Sequence, residues 1–191
     1  RKYNKKVYKD AKQQYIYSII LFTLFVENVS LFSQFYIIMH FNRNRAVLKD
    51  CAQQVQYTRN EEMLHAQVGV KLIQTLRQEY PQYFDEEMHS RIQQECADSL
   101  LAEGKVIDWI MGDYSIPGLS ADILKSFIAK RMKDSLGMIG FDNSTVEYNQ
   151  HHIDQTYWFD EELLGANMTD FFQKRPVEYA KGKGITADDL F

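Results

Sequence analysis

The chain has 191 residues, of which 45% are hydrophobic and 25% charged, with a formal net charge of -4. This is the make-up of an ordinary globular protein, long enough for one domain with a sizeable core. It holds no strong block of basic residues, so nothing in it argues for a nucleic-acid partner.

Only 3 Pro and 9 Gly occur, and long stretches lack both, which favours helices over a many-turned β fold. Cys51 and Cys96 are isolated and make no CxxC pair or disulfide framework. Both fall inside helical patterns, where a cysteine is expected as a small buried hydrophobe in a reducing, cytosolic setting. The sequence opens Arg1-Lys2-Tyr3-Asn4-Lys5-Lys6, without an initiating Met or a secretory signal, as a fragment of something longer would.

Four helices and a tail are expected. The first runs from about Tyr8 to Phe41, and Asn42 to Asn44 reads as a polar break. Residues 15–39 of this helix imitate a membrane span, but Glu27 and Asn28 interrupt it, and a mid-bilayer carboxylate costs roughly 2.5–3.5 kcal/mol. A buried core helix is the expected alternative, with no membrane. The second helix runs from about Arg45 to Glu79 and stops before Pro81. Asp85 caps a third, with Glu86 and Glu87 in its first turn, reaching about Met111. Gly112 to Gly118 is a loop, and Ser120 caps a fourth helix ending near Gly140. Beyond Phe141 the periodicity fades, and Lys174 to Phe191 reads as a mobile tail. The corresponding division is 1–140 for the bundle and 141–191 for an extension and tail.

The second helix carries the chemistry. Its core stripe is read at Cys51, Val55, Thr58, Glu62, His65, Gly69, Leu72 and Leu76, in alternating steps of four and three. Glu62 and His65 stand where apolar residues belong. Three residues apart, they lie about 60° apart around the helix and can converge on one point. The first helix repeats the anomaly. Its stripe reads Ile20, Leu24, Glu27, Leu31, Phe35 and Ile38, with Glu27 among aliphatic and aromatic neighbours. An unpaired buried carboxylate is costly, and a bound cation is one of the few adequate compensations. In bundles that hold two metal ions, two helices each give a Glu and two others each give Glu-x-x-His. This chain supplies one of each, half the set. Carboxylates and imidazole suit iron or manganese. Glu103, on the apolar side of the third helix, lacks a following His and is either solvated or placed behind the ligands. His40, His89, His151 and His152 match no carboxylate pattern and are expected on the surface or in loops.

Three stretches then resemble one family. They are Phe25-Val26-Glu27-Asn28-Val29-Ser30-Leu31-Phe32-Ser33-Gln34-Phe35, Asn60-Glu61-Glu62-Met63-Leu64-His65, and Thr169-Asp170-Phe171-Phe172-Gln173-Lys174-Arg175-Pro176-Val177-Glu178-Tyr179. In this order and separation they are similar to the C-terminal half of the small, radical-generating subunit of class I ribonucleotide reductase, most like the version in large tailed bacteriophages and some bacteria. The resemblance implies an all-α, ferritin-like helical bundle, incomplete in this chain and ending in a flexible tail. It implies Glu27, Glu62 and His65 as ligands of a pair of iron ions, with manganese or a mixed pair left open. Glu61 would orient a ligand His from the other half, although the family more often has Asp there. Leu31 and Phe35 would line the apolar pocket near the radical, with Leu31 standing where many members have Phe. Tyr179 would relay the radical to the large catalytic subunit, on which the final residues would dock.

The family's N-terminal half, with its Asp, second Glu-x-x-His, radical Tyr and relay Trp, is not recognisable here. Trp109 and Trp158 lie in the wrong places for that relay. The expected partners are therefore an N-terminal half of the small subunit, the large subunit, and a second assembled small subunit in a dimer. The expected function is to start the reduction of ribonucleotides to deoxyribonucleotides in the cytoplasm. The alternatives are a ferritin-like oxidase or hydroxylase with its own substrate, and a metal-free helical assembly protein.

Overall fold

The computed structural model describes residues 5–161, with side chains from Ala11 onward. Among these residues the chain is helical without a strand, and an isolated bridge joins Ile116 and Leu119 in one loop. No Gly or Pro occurs before Gly69, so nothing in the first helical rod breaks it. The rod is not uniform. It comprises α1 (Lys5–Leu21), a π-helical segment (Phe22–Ser30), and α2 (Phe32–Arg45). The expected single α-helix is thus interrupted by a stretch of wider turns.

The polar run Asn42 to Asn44 does not break the rod. Its asparagines satisfy the helix end, where Asn44 Nδ2 donates to the His40 carbonyl at 3.0 Å and Asn42 Nδ2 to the Val47 carbonyl at 3.2 Å. The break falls later, where Ala46 and Leu48 take positive φ of 54° and 57°. The Ala46 N–H closes the helix on the Asn42 carbonyl at 2.9 Å.

After this turn come α3 (Lys49–Glu79), α4 (Glu86–Met111), α5 (Ala121–Met138) and α6 (Gln150–Asp154). Asp85 caps α4 by accepting from the Met88 N–H at 2.9 Å, and Ser120 caps α5 by accepting from the Ile123 N–H at 3.3 Å, as expected. Helix α6 was not expected. At five residues it is too short to show a period, and it is fixed by packing. Residues beyond Gly140 continue into the same core, with Phe141, Val146, Ile153 and Phe159 all buried.

The core gathers Ile20 and Leu24 from the rod, Ile73 from α3, Ile92 and Ile107 from α4, and Leu124, Ile128 and Met132 from α5. Each fully buried aliphatic side chain contributes roughly 1.5–3 kcal/mol. Arg59 is 1% exposed, its guanidinium lying 3.5 Å over the Phe159 ring and donating to the Phe159 carbonyl. This ties the segment after α6 to α3. The rod from Ala11 to Arg45 is long and apolar enough to cross a membrane, but 56% of its most apolar window is buried inside the bundle.

Several expectations need correction. Of the stripe read on α3, Cys51, His65 and Leu72 are exposed, while the buried positions are Ala52, Val55, Arg59, Ala66 and Ile73. The bundle packs on a face rotated from the one chosen. Cys51 is therefore not a buried hydrophobe, whereas Cys96 is, its thiol pushed up to about 12 by burial. His40 is not at the surface. It is buried, stacked on Tyr36 at 6.2 Å between ring centres, and Gly118 passes so close that a Cβ there would stand 3.2 Å from its Cε1. His89 is half-buried against Phe141. His152 is also half-buried, its Nδ1 3.0 Å from the Ser126 hydroxyl, and His151 is exposed.

Candidate metal centre

The π segment positions Glu27. Its wide turn is held from both sides. The Asn28 side chain donates to the Thr23 carbonyl at 3.0 Å, five residues back, which is the π spacing. The Arg131 Nε of α5 donates to the Asn28 carbonyl at 2.7 Å, with the guanidinium 3.5 Å over Phe32 and 3.5 Å from Asp160. Burial pushes Arg131 down to about 10, so it still carries its charge near neutral pH. π-Helical turns inside α-helices recur at functional sites because they re-aim side chains.

On α3, Glu62 and His65 sit one helical turn apart and face the π segment. His65 Nδ1 lies 3.3 Å from Glu27 Oε2 and 3.4 Å from Glu62 Oε2. One donor atom from each residue falls within 4.8 Å of the others. The side chains differ in exposure, at 8% for Glu27, 18% for Glu62 and 60% for His65. Burial raises the Glu27 carboxyl above its usual range, and the neighbouring Glu62 carboxyl raises it further, partly offset by His65. The His65 imidazole is raised chiefly by its hydrogen bond to Glu62. The groups acting on Glu27 are thus an acid and an imidazole, with no lysine or arginine among them.

This donor set fits a hard divalent cation. Two carboxylates and an imidazole are the ligand types that iron and manganese take in helical bundles. Oxygen and nitrogen donors stand about 2.0–2.2 Å from such an ion, so contacts near 3.3 Å suit two donors on one cation. The cluster also lies at one end of an open trough of about 690 Å³ lined by Ser18, Ile19, Phe22, Thr23, Val68, Gly69 and Leu72. Phe22 is 57% exposed and Val68 69%, and Leu64 beside them 59%. Large apolar side chains are thus left open beside the Glu27, Glu62 and His65 cluster, more than a protein surface usually exposes in one place.

The remaining expected residues are dispersed. Glu61 is exposed on α3, Leu31 is 41% exposed at the junction of the π segment and α2, and Phe35 is half-buried with its ring 5.5 Å from Phe32. Tyr179 and the tail lie outside the described residues. Trp109 is exposed, and Trp158 Nε1 donates to the Tyr36 hydroxyl at 3.2 Å. Glu103 is half-buried. One carboxyl oxygen, Oε2, is buried without a hydrogen-bond partner among the described residues, and burial raises the group while the Ser30 hydroxyl partly offsets that. Sequence reasoning missed Arg131 and Thr23 as supports of the π segment. Only the glycine at 69, in the middle of a long helix, hinted that the chain passes close there.

The family described as "Ribonucleotide reductase, small chain" matches residues 1–162, and the chain belongs to that family. Its fold is accordingly the ferritin-like helical type. The family is one of di-iron, radical-generating subunits, and the Glu27, Glu62 and His65 cluster fits part of such a centre. The chain is also 28% identical, over 174 residues, to the probable ribonucleoside-diphosphate reductase small subunit 048L of Invertebrate iridescent virus 3. That alignment takes in 89% of this chain and 44% of the relative, so the chain spans less than half of that protein's length.

Proposed function

We propose that this chain supplies part of the di-iron site of a ribonucleoside-diphosphate reductase small subunit, the rest coming from helices outside these 191 residues. The observation that carries this reading is the convergence of Glu27, Glu62 and His65 at the end of an open apolar trough. Glu27, Glu62 and His65 would together hold the metal ions from this chain's side. When bound, the metal pair supplies oxygen-dependent oxidation of a tyrosine in the completing segment. The residues of this chain hold the ions and exclude water. Leu31 and Phe35 would form part of the apolar wall once covered, and Glu61 would orient a ligand His from the completing helices. Tyr179 would pass the radical to the large catalytic subunit, on which the chain's last residues would dock. Two assembled small subunits would pair, in the cytoplasm. Iron fits the donors, and so do manganese and a mixed pair.

The test is reconstitution of this chain with its completing N-terminal segment and iron(II). Two metals per assembled unit and an electron paramagnetic resonance radical signal are expected, with ribonucleotide reduction once the large subunit is added. Full loading of both metals by this chain alone would contradict the shared site. Tyr179→Phe should keep the radical and stop turnover, and persistent turnover would remove Tyr179 from the relay.

A further inference from the structure

One turn away from the His65–Glu27 contact, on both helices at once, the same two elements touch again. Gly69 follows His65 by four residues on α3, and Thr23 precedes Glu27 by four in the π segment. The elements therefore run antiparallel here, pairing 65 with 27 and then 69 with 23. The second pair is very close. A Cβ on Gly69 would stand 2.2 Å from Thr23 Oγ1, 2.6 Å from its Cγ2 and 3.0 Å from its Cβ. Thr23 is itself 3% exposed. Its two heavy branches occupy two of three staggered wells, and both filled wells face Gly69. Any rotation of χ1 leaves at least one branch there, so an added Cβ could be accommodated only by separating the backbones.

We propose that Gly69 is a positioning residue for the metal centre. By letting α3 seat directly on Thr23, it sets the distance at which His65 and Glu62 meet Glu27. The consequence for metal binding rests on the function proposed above, whereas the spacing is a property of the chain itself. Helix propensity points the other way, since Ala is favoured over Gly in a helix interior. Gly104, inside α4, provides the contrast. A Cβ there would meet only Lys125 Cε at an ordinary 3.7 Å.

The experiment compares Gly69→Ala, Gly69→Ala with Thr23→Ala, and Gly104→Ala in the assembled small subunit. Crystal structures give the Glu27–His65 separation, and manganese(II) titration, read by loss of the free-ion paramagnetic resonance signal, gives affinity. Gly69→Ala should lengthen the separation and weaken binding by about ten-fold or more, the usual scale for residues that orient ligands. Thr23→Ala removes the two nearest atoms and should restore both, while Gly104→Ala should change neither. A single variant that fails to fold while the double variant folds and binds normally supports the same contact. An unchanged Glu27–His65 separation in Gly69→Ala would overturn the proposal whatever the metal content, as would a loss that Thr23→Ala does not rescue. A wild type that takes up no manganese would contradict the metal reading, and the crystal structures would still decide the spacing.

Discussion

His65 Nδ1 lies 3.3 Å from Glu27 Oε2, joining two residues that stand 38 apart in the sequence. The same imidazole reaches Glu62 at 3.4 Å, so one ring serves two carboxylates. In the metal-free chain this arrangement is electrostatically poor, because Glu27 is buried and faces another acid. A cation held by the three groups would remove that penalty.

Glu27→Gln keeps the shape and removes the charge. Because the folded carboxyl titrates above its usual 4.5, ionising it costs stability as pH rises through 4.5 to the raised value. Metal-free Glu27→Gln should therefore match wild type below that window and be more stable than wild type above it. Urea unfolding at pH 4 and pH 8 measures this. A variant less stable than wild type at pH 8 would show that the ionised carboxylate is already compensated without metal.

His65→Ala should separate stability from ligation. The side chain is 60% exposed, so its removal should change unfolding little. Iron content of the assembled protein should nonetheless fall. Unchanged iron by inductively coupled plasma analysis would exclude His65 as a ligand.

Arg131 supports the π segment through the Asn28 carbonyl and Phe32. Arg131→Met keeps bulk but leaves that carbonyl unsatisfied, and a loss of about 1–3 kcal/mol is expected in urea. Lys lacks the planar fork that both stacks on Phe32 and donates through Nε, so Arg131→Lys should recover little of it. Full recovery by Lys would mean that only the charge matters.

His40 gives a pH signature. Burial, aided by Arg45, lowers its pKa below the usual 6.5, so the unfolded chain binds the proton more readily than the folded one. The stability associated with the neutral ring is complete above 6.5 and is lost as pH falls from there toward the lowered value. Compared with His40→Gln, wild type should lose stability more steeply below pH 6.5. Parallel pH profiles for the two proteins would contradict the buried neutral histidine.

The parts of the fold visible in the sequence are those set by local chemistry. Asp85 and Ser120 cap the helices they were expected to cap, and Pro81 stops α3, because these effects act within a turn. Glu27, Glu62 and His65 were visible as polar intrusions among apolar neighbours. The π segment was not, since one extra residue per turn leaves composition unchanged and is enforced by Arg131, 103 residues away from Asn28. The phase of α3 was misjudged because the helix is apolar on two sides. Ala52, Val55, Ala66 and Ile73 face the core, while Val68 and Leu72 line the open trough and Leu64 is exposed. Steps of three and four can be threaded along either side. Arg59 reads as a surface residue until Phe159 is folded over it.

The most direct measurement is anomalous diffraction at the iron or manganese edge from crystals of the assembled, metal-loaded small subunit. The expected result is a peak within bonding distance of Glu27, Glu62 and His65. Loaded crystals with no peak there, or with the three side chains turned to bulk water, would contradict the metal assignment.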